Sequence, residues 1–314
     1  MQYDENVLTH TERRIFALRT LYRRAGYRSY RMRKFEDYDL YSRNKDFLLS
    51  DRVITFTDTN GKLKALKPDV TLSIVKNLED KPSELNRLFY DENVYRVSGR
   101  TGTFREIMQM GLECIGNAGN AIAAEVIDLA EQSLALVSEG SDYILKVSDV
   151  DILTLLVDGM SESGTVRSEL LRLVSGKNLH GIESLCAENG IPEEKCRTLT
   201  ELLKIYGTPP EMMPLIAEIC RGTEAEEEVS ELADVLSGLY PESGEKADRK
   251  IVLDFSIVGD TNYYNGMAFE GYIDGIPESV LIGGRYDKLM RRMKKKSRAI
   301  GFAIYMDTLG MRGK

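Results

Sequence analysis

The stretch Tyr95 to Gly116, YRVSGRTGTFREIMQMGLECIG, constrains the fold of this chain more than any other. A strand-like run ending at Arg96 meets a loop punctuated by Gly99 and Gly102, and the chain returns as Phe104 to Ile115. Glycines between two such runs signal a hairpin with a long connection. On the returning arm, period-2 alternation sets Met108, Met110, Leu112 and Cys114 on one face, and Arg105, Ile107, Gln109, Gly111 and Glu113 on the other. In a half-buried antiparallel sheet Gln109 and Glu113 would ordinarily face water. The alternative is that they aim polar groups from the sheet at a ligand.

With 314 residues the chain is long enough for two domains, or for one large core with an insertion. Its 42% hydrophobic and 29% charged residues are ordinary for a folded globular protein. A net charge of -8 argues against nucleic-acid binding through the overall field, although a local basic patch is compatible with it. Cys114, Cys186, Cys196 and Cys220 have no metal-like spacing and read as reduced, mostly buried thiols. His10 and His180 are too few for a histidine metal site, and each reads as a surface or core residue. Neither a metal nor a cofactor is expected. The N-terminus has no apolar core of a signal sequence, and no run approaches the roughly 20 apolar residues that span a bilayer, so the expected location is the cytoplasm and no membrane partner is expected.

Taken in order, Ile15, Leu18, Leu21 and Tyr22 recur at helical spacing from Thr9 to about Gly26. Arg28, Arg31, Arg33 and Lys34 read as solvated neighbours of a partly buried strand within Tyr27 to Tyr41. Val53 to Thr57 and Leu63 to Leu66, joined by Asp58, Asn60 and Gly61, signal a hairpin. After Lys67-Pro68, Asp69 or Thr71 is placed to cap a helix that carries Leu72, Val75 and Leu78. Asn120 to Val137 is a further amphipathic helix, and Tyr143 to Val147 a strand. Leu-rich helices then follow one another, and the acidic run Glu224 to Glu228 suits a helix start. Strand patterns resume at IVLDFSIV from Ile251, NYYNGMAFEGYIDG, SVLIGG and AIGFAIYM, and the basic run Arg291 to Arg298 reads as a solvated loop or helix face, or as a contact for an acidic partner or phosphate. Strands on both sides of a helical block predict one sheet interrupted by an insertion. The expectation is an α+β core over residues 1–150 and 246–314, with an all-helical insertion over 151–245 and a sheet that is antiparallel or mixed.

Several stretches resemble, in order, those of histidyl-tRNA synthetases. LKPDVT at Leu66 is similar to their LRPE-type segment, and Arg96 with FREIMQMGLECIG to class II motif 2. NYYNGMAFE at Asn262 is similar to the histidine-specific GLDYY and TVFE segment, and GGRYDKLM with AIGFAIYMDTL to the end of the catalytic domain through motif 3. The resemblance implies a class II aminoacyl-tRNA synthetase-like antiparallel sheet flanked by helices. It further implies a ligand pocket at Asp69, Thr71, Arg96, Gln109, Glu113, Tyr264 and Tyr286. In that set Asp69, Thr71 and Glu113 can receive an ammonium or imidazole N–H, Arg96 can face a carboxylate, and the two tyrosines can flank a ring.

Departures from the family pattern point away from catalysis. The motif 3 arginine falls at Thr308, the arginine of the histidine-specific segment falls near Gly259, and motif 2 reads Val97-Ser98 and Ile107 where an acid and an adenine-stacking ring are usual. One lost preorganised donor costs about 2.7–4 kcal/mol of transition-state stabilisation, so adenylation is expected to be absent. Asp69 stands where a longer Glu is usual, the motif 1 region YRSYRMRKFEDYDLY lacks its proline, and the expectation is that no anticodon-binding domain follows motif 3. This combination resembles the regulatory subunits of ATP phosphoribosyltransferase, histidyl-tRNA synthetase paralogues that assemble with a short-form catalytic subunit. The expected partners are that subunit, L-histidine as effector, and a second copy in a homodimer. The rival reading is a divergent histidyl-tRNA synthetase-like amino-acid-activating enzyme, rescued by a cation at Arg100, Arg105 or Arg291 to Arg298. An RNA-binding sensor is disfavoured by the acidic balance.

Overall fold

The computed structural model describes residues 7–45, 48, 53–99, 101–240, 249–258 and 263–310. Helix α1 (His10–Arg24) starts at a reciprocal cap: Thr9 Oγ1 accepts from the Glu12 amide at 3.2 Å, and the Glu12 carboxylate accepts from the Thr9 amide at 2.8 Å. Ile15, Leu18 and Tyr22 form its buried stripe. Short strands β1 (Arg28–Ser29) and β2 (Phe35–Asp37) follow, then α2 (Tyr38–Ser42) and the hairpin β3 (Thr55–Thr57) and β4 (Leu63–Leu66). Asp58 Oδ1 turns that hairpin by accepting from the Asn60 and Lys62 amides at 2.8 and 2.9 Å. Arg28, Arg31, Arg33 and Lys34 are all exposed, in line with their reading as solvated neighbours.

Beyond α3 (Thr71–Asn77), the long hairpin is formed by β5 (Leu85–Val97) and β6 (Phe104–Gly116), in register from Leu85 opposite Gly116 to Val97 opposite Phe104. Next come α4 (Asn120–Ser138) and β7 (Tyr143–Asp149). The helical block is α5 (Val150–Asp158), α6 (Gly164–Ser175), α7 (Leu179–Glu188), α8 (Glu193–Leu203), α9 (Pro209–Ile219) and α10 (Glu226–Ser237). The acidic run does open α10, with Glu226, Glu227 and Glu228 in its first turn. The chain ends in β8 (Ile251–Leu253), β9 (Met267–Ile273), β10 (Leu281–Arg285), α11 (Asp287–Arg292), β11 (Arg298–Tyr305) and α12 (Met306–Leu309).

Eight strands form one sheet in the order β1-β5-β6-β11-β10-β9-β7-β8, and β2-β4-β3 form a small second sheet. The main sheet is mixed. Its inner pairs are antiparallel, but β1 runs parallel to β5 and β8 parallel to β7. Parallel neighbours require a long crossover, and the helical block is the connection that carries the chain from β7 round to β8. One hydrophobic cluster covers one face of the sheet and runs without a break from Phe89, Leu112 and Phe302 through Val126 and Ala130 of α4 into Leu153, Leu199 and Leu232 of the block. All four cysteines are free and buried, and both histidines are exposed.

Alternation on β6 holds: Met110, Leu112 and Cys114 enter that cluster, with Met108 packed against it. The opposite face corrects the expectation of a wet surface. Gln109 is 3% and Glu113 2% exposed, because α3 and α11 cover that side with a second cluster containing Leu72, Ile74, Leu289 and Met290. Close approach at the sheet centre depends on glycine. A Cβ at Gly111 would lie 2.2 Å from the Phe302 carbonyl oxygen and 2.6 Å from the Tyr90 hydroxyl. Gly111→Ala is therefore expected to destabilise the fold by roughly 1–3 kcal/mol. A urea or thermal melt with an unchanged midpoint would contradict this close approach.

Candidate functional site

On this second face, strands β5, β6, β9, β10 and β11 border a cavity of about 240 Å³. Asp69, Thr71, Arg96, Gln109, Glu113, Tyr264 and Tyr286, the residues singled out in the sequence, all line it. Asp69 and Thr71 come from the turn into α3, Arg96 from the end of β5, Gln109 and Glu113 from β6, Tyr264 from the approach to β9, and Tyr286 from the junction of β10 with α11. Asn262, Gly259 and Arg100 lie outside the described residues.

Glu113 is the centre of the arrangement. Thr71 Oγ1 donates to its Oε1 at 2.7 Å, and the Tyr286 hydroxyl to its Oε2 at 2.5 Å. Burial pushes its carboxyl up to about 8; the two hydroxyl donors oppose that rise and the neighbouring Asp69 adds to it. Asp69 takes up the expected capping role, with Oδ1 accepting from the Leu72 amide at 2.8 Å. Burial raises its carboxyl too, against the Leu72 amide and the charge of Arg96. Two further glycines keep the space open. A Cβ at Gly301, directly across the ladder from Glu113, would lie 1.9 Å from Glu113 Oε2, and one at Gly284 would lie 2.6 Å from the Tyr264 ring.

Arg96 is the one cation among the described residues lining the cavity, whereas Asp69, Glu113 and Glu270 supply carboxyls. Its Nε donates to the Pro68 carbonyl at 3.0 Å, and its guanidinium lies 5.9 Å from the centroid of the Tyr305 ring. Aromatic walls complete the site: Tyr263 meets Tyr264 edge-on at 4.8 Å between centroids, and Tyr286 at 6.0 Å. One cation, several carboxyls and aromatic walls around so small a volume suit a zwitterion that carries a ring. A larger, open groove of about 670 Å³ on α8 and α9 lacks this convergence, its four cations being offset by four glutamates.

Tyr90, Tyr263, Glu270 and Tyr305 also line the cavity and were not singled out. A usable signal existed for Tyr90, since Gly111 stands opposite it in the hairpin register and a strand glycine marks a close approach. Glu270 and Tyr263 lie within MAFE and NYYN, but nothing in the pattern separates them from structural neighbours. Thr308 and Ile107 do not line the cavity, and neither do Arg105 or Arg291 to Arg298.

Glu113 titrates near 4.5 in a free chain and near 8 in the fold. Between those values the folded state keeps a proton that the unfolded state has lost. Stability therefore falls as pH rises through this window, by up to about 1.4 kcal/mol per pH unit. Glu113→Gln is expected to remove that slope in urea melts taken between about pH 5 and pH 8. Parallel slopes for the two proteins would show that another group titrates there.

The family model described as histidyl-tRNA synthetase matches residues 4–309. An ATP phosphoribosyltransferase regulatory subunit from Caldanaerobacter subterraneus subsp. tengcongensis is 30% identical over 294 residues, covering 92% of this chain and 75% of that one. A histidine–tRNA ligase from Methanosarcina acetivorans is also 30% identical, over 303 residues, covering 93% of this chain and 69% of its own. In fold, the chain is similar to a component of the ATP phosphoribosyl transferase HisG:HisZ complex from Thermotoga maritima, with a TM-score of 0.69 at 17% identity over 97% of this chain and 98% of that one. These matches agree: the chain belongs to the histidyl-tRNA synthetase family, in the group of the ATP phosphoribosyltransferase regulatory subunits.

Proposed function

We infer that the chain acts as the regulatory subunit of an ATP phosphoribosyltransferase in the first step of histidine biosynthesis. It assembles with a short catalytic subunit, is needed for that subunit's activity, and carries histidine feedback through its cavity. The observation that carries the ligand part is the convergence of Asp69, Thr71, Arg96, Gln109, Glu113, Tyr264 and Tyr286 on one small cavity. L-Histidine would place its carboxylate on Arg96 and its N–H donors on Asp69 and Glu113, between the tyrosine rings. Feedback is then linkage. Histidine favours one state of the assembly and disfavours the catalytically active one by the same free energy.

The chain does not adenylate on this reading. Adenylation needs cations where charge builds on the phosphates and carboxylate, and Arg96 alone serves both among the described lining residues. The rival, an amino-acid-activating enzyme, requires a second cation there. On the same reading the helical insertion runs over residues 151–245, of which 241–245 lie outside the described residues, and the subunit is a homodimer. Exposed Phe35 and Phe56, edge-on at 5.7 Å on the small sheet, offer an apolar contact for the second copy.

Titration calorimetry with L-histidine, and with ATP in parallel, tests this function. The expected result is histidine binding without ATP binding. Arg96→Ala is expected to weaken it about 10- to 100-fold, the worth of a charge-assisted contact of roughly 1.5–3 kcal/mol. Docking a cation on Glu113 expels its proton, so histidine affinity should rise with pH up to about 8, and buffers of different ionisation enthalpy should report proton release. Tight ATP binding would favour the activating enzyme. Silence toward both ligands would remove the sensing role and leave assembly as the function.

A further inference from the structure

Asp254, one residue beyond β8, is 1% exposed and keeps its charge. Lys146 of β7 donates to its Oδ2 at 3.0 Å, Lys177 to its Oδ1 at 2.8 Å, and the Ser256 hydroxyl to Oδ1 at 2.7 Å. Burial opposes the charge, but the bonds from Lys177, Ser256 and Lys146 outweigh it and hold the carboxyl down at about 2. The two lysines belong to different layers. Lys146 lies in the sheet, whereas Lys177 follows α6 in the helical block. Tyr206, between α8 and α9 of the same block, places its exposed ring 5.9 Å from Lys146 Nζ and 5.7 Å from Lys177 Nζ. Beside it, the Gly207 carbonyl accepts from the Leu253 amide at 2.9 Å.

Two features go beyond an ion pair that merely fastens two layers together. Lys177 has a φ of +48°, in the left-handed region that suits glycine, while Gly176 next to it keeps a φ of -85°. A lysine held in that conformation is strained, and its bond to Asp254 is what the strain supports. The second feature is the place of Lys146. It stands directly across the ladder from Glu270, whose carboxylate lines the cavity. Tyr272 joins the two: its hydroxyl donates to Glu270, and its ring centroid lies 5.2 Å from Lys146 Nζ. One ammonium thus sits between a carboxylate of the cavity and the carboxylate that holds the helical block. Opposite charges facing each other across a ladder attract, so Glu270 competes with Asp254 for Lys146.

We propose that Asp254, Lys146 and Lys177 form a latch through which a ligand in the cavity tightens the helical block onto β7 and β8. This rests on the histidine-sensing reading and adds to it the residues that pass occupancy on. Positive charge brought into the cavity offsets Glu270 and weakens its hold on Lys146. The ammonium is then left to Asp254, and the bond that Asp254 shares with Lys177 is made in a better-neutralised site. The block closes on the sheet at Lys177 and Tyr206. Because coupling is reciprocal, a block held closed also favours the ligand by the same factor. Lys177 is in this scheme a positioning residue, since it does not line the cavity.

The test is hydrogen exchange of the full chain with and without L-histidine, paired with titration calorimetry. Lys177→Gly removes the ammonium without adding strain, because glycine adopts that backbone freely, and Lys177→Arg restores a cation. In the wild type, histidine is expected to slow exchange both around the cavity, in α3 and β6, and in the block over residues 172–182 and 203–210. Lys177→Gly should keep the slowing at the cavity, lose it in the block, and bind histidine roughly fivefold or more weakly. Lys177→Arg should behave as the wild type. Slowing in the block that persists in Lys177→Gly overturns the latch, as does an unchanged affinity in that variant. A wild type whose cavity responds while its block does not overturns it too, and leaves histidine sensing standing. If histidine alters exchange nowhere in the wild type, the sensing reading fails and the latch with it.

Discussion

Glu113 is a carboxyl with 2% exposure at the middle of a sheet, and the arrangement around it follows from the need to satisfy it. An unpaired carboxylate in such a place is untenable, so either donors reach it or it keeps its proton. The fold does both. Thr71 must stand at the first turn of α3 and Tyr286 at the mouth of α11 for their hydroxyls to reach the two oxygens. Gly301 must be glycine, since any side chain there would occupy the place of the carboxyl. Two helix starts and one strand residue, separated by more than two hundred positions, are thereby fixed around one side chain.

The same constraint explains what could be read beforehand. The hairpin, α1, α4 and the run of helices were legible because periodicity and punctuation are local. The pocket residues were legible only through resemblance to a family, because nothing local distinguishes Glu113 on β6 from any polar residue on the outer face of a sheet. Burial of that face is set by α3 and α11, which arrive from distant parts of the chain. Tyr305 is invisible for a related reason: it is an ordinary strand aromatic until the register places it over the cavity. The parallel edges β1 and β8 were illegible as well, since strand direction is decided by where the intervening segments pack and not by the strand residues themselves.

Charge is distributed in two ways in this molecule. Among the described residues lining the cavity, carboxyls outnumber the one cation, which favours a ligand bringing positive charge or N–H donors together with one carboxylate. On α1 and the segment after β1 cations gather almost unopposed. A chain with catalytic duties toward ATP would concentrate cations inside, where the phosphates lie. Here they lie on the exposed surface of α1 and of the segment after β1.

Strand β5 touches both regions. Near its middle, Asp91 pairs with Arg19 and Glu92 accepts from the Met32 amide, while the side chain of Glu92 also holds the buried Lys67. Toward its end, the Tyr95 amide donates to the Lys67 carbonyl at 2.9 Å, and Arg96 donates to the Pro68 carbonyl just before Asp69. Tyr90, one residue before Asp91, lines the cavity. A ligand that draws Arg96 and Asp69 inward therefore acts on a strand whose next contacts hold Arg19 and the segment after β1. Linkage between two sites requires a shared element with two arrangements of differing free energy. β5, with Lys67 and Pro68 bonded along it, is the element these two regions share.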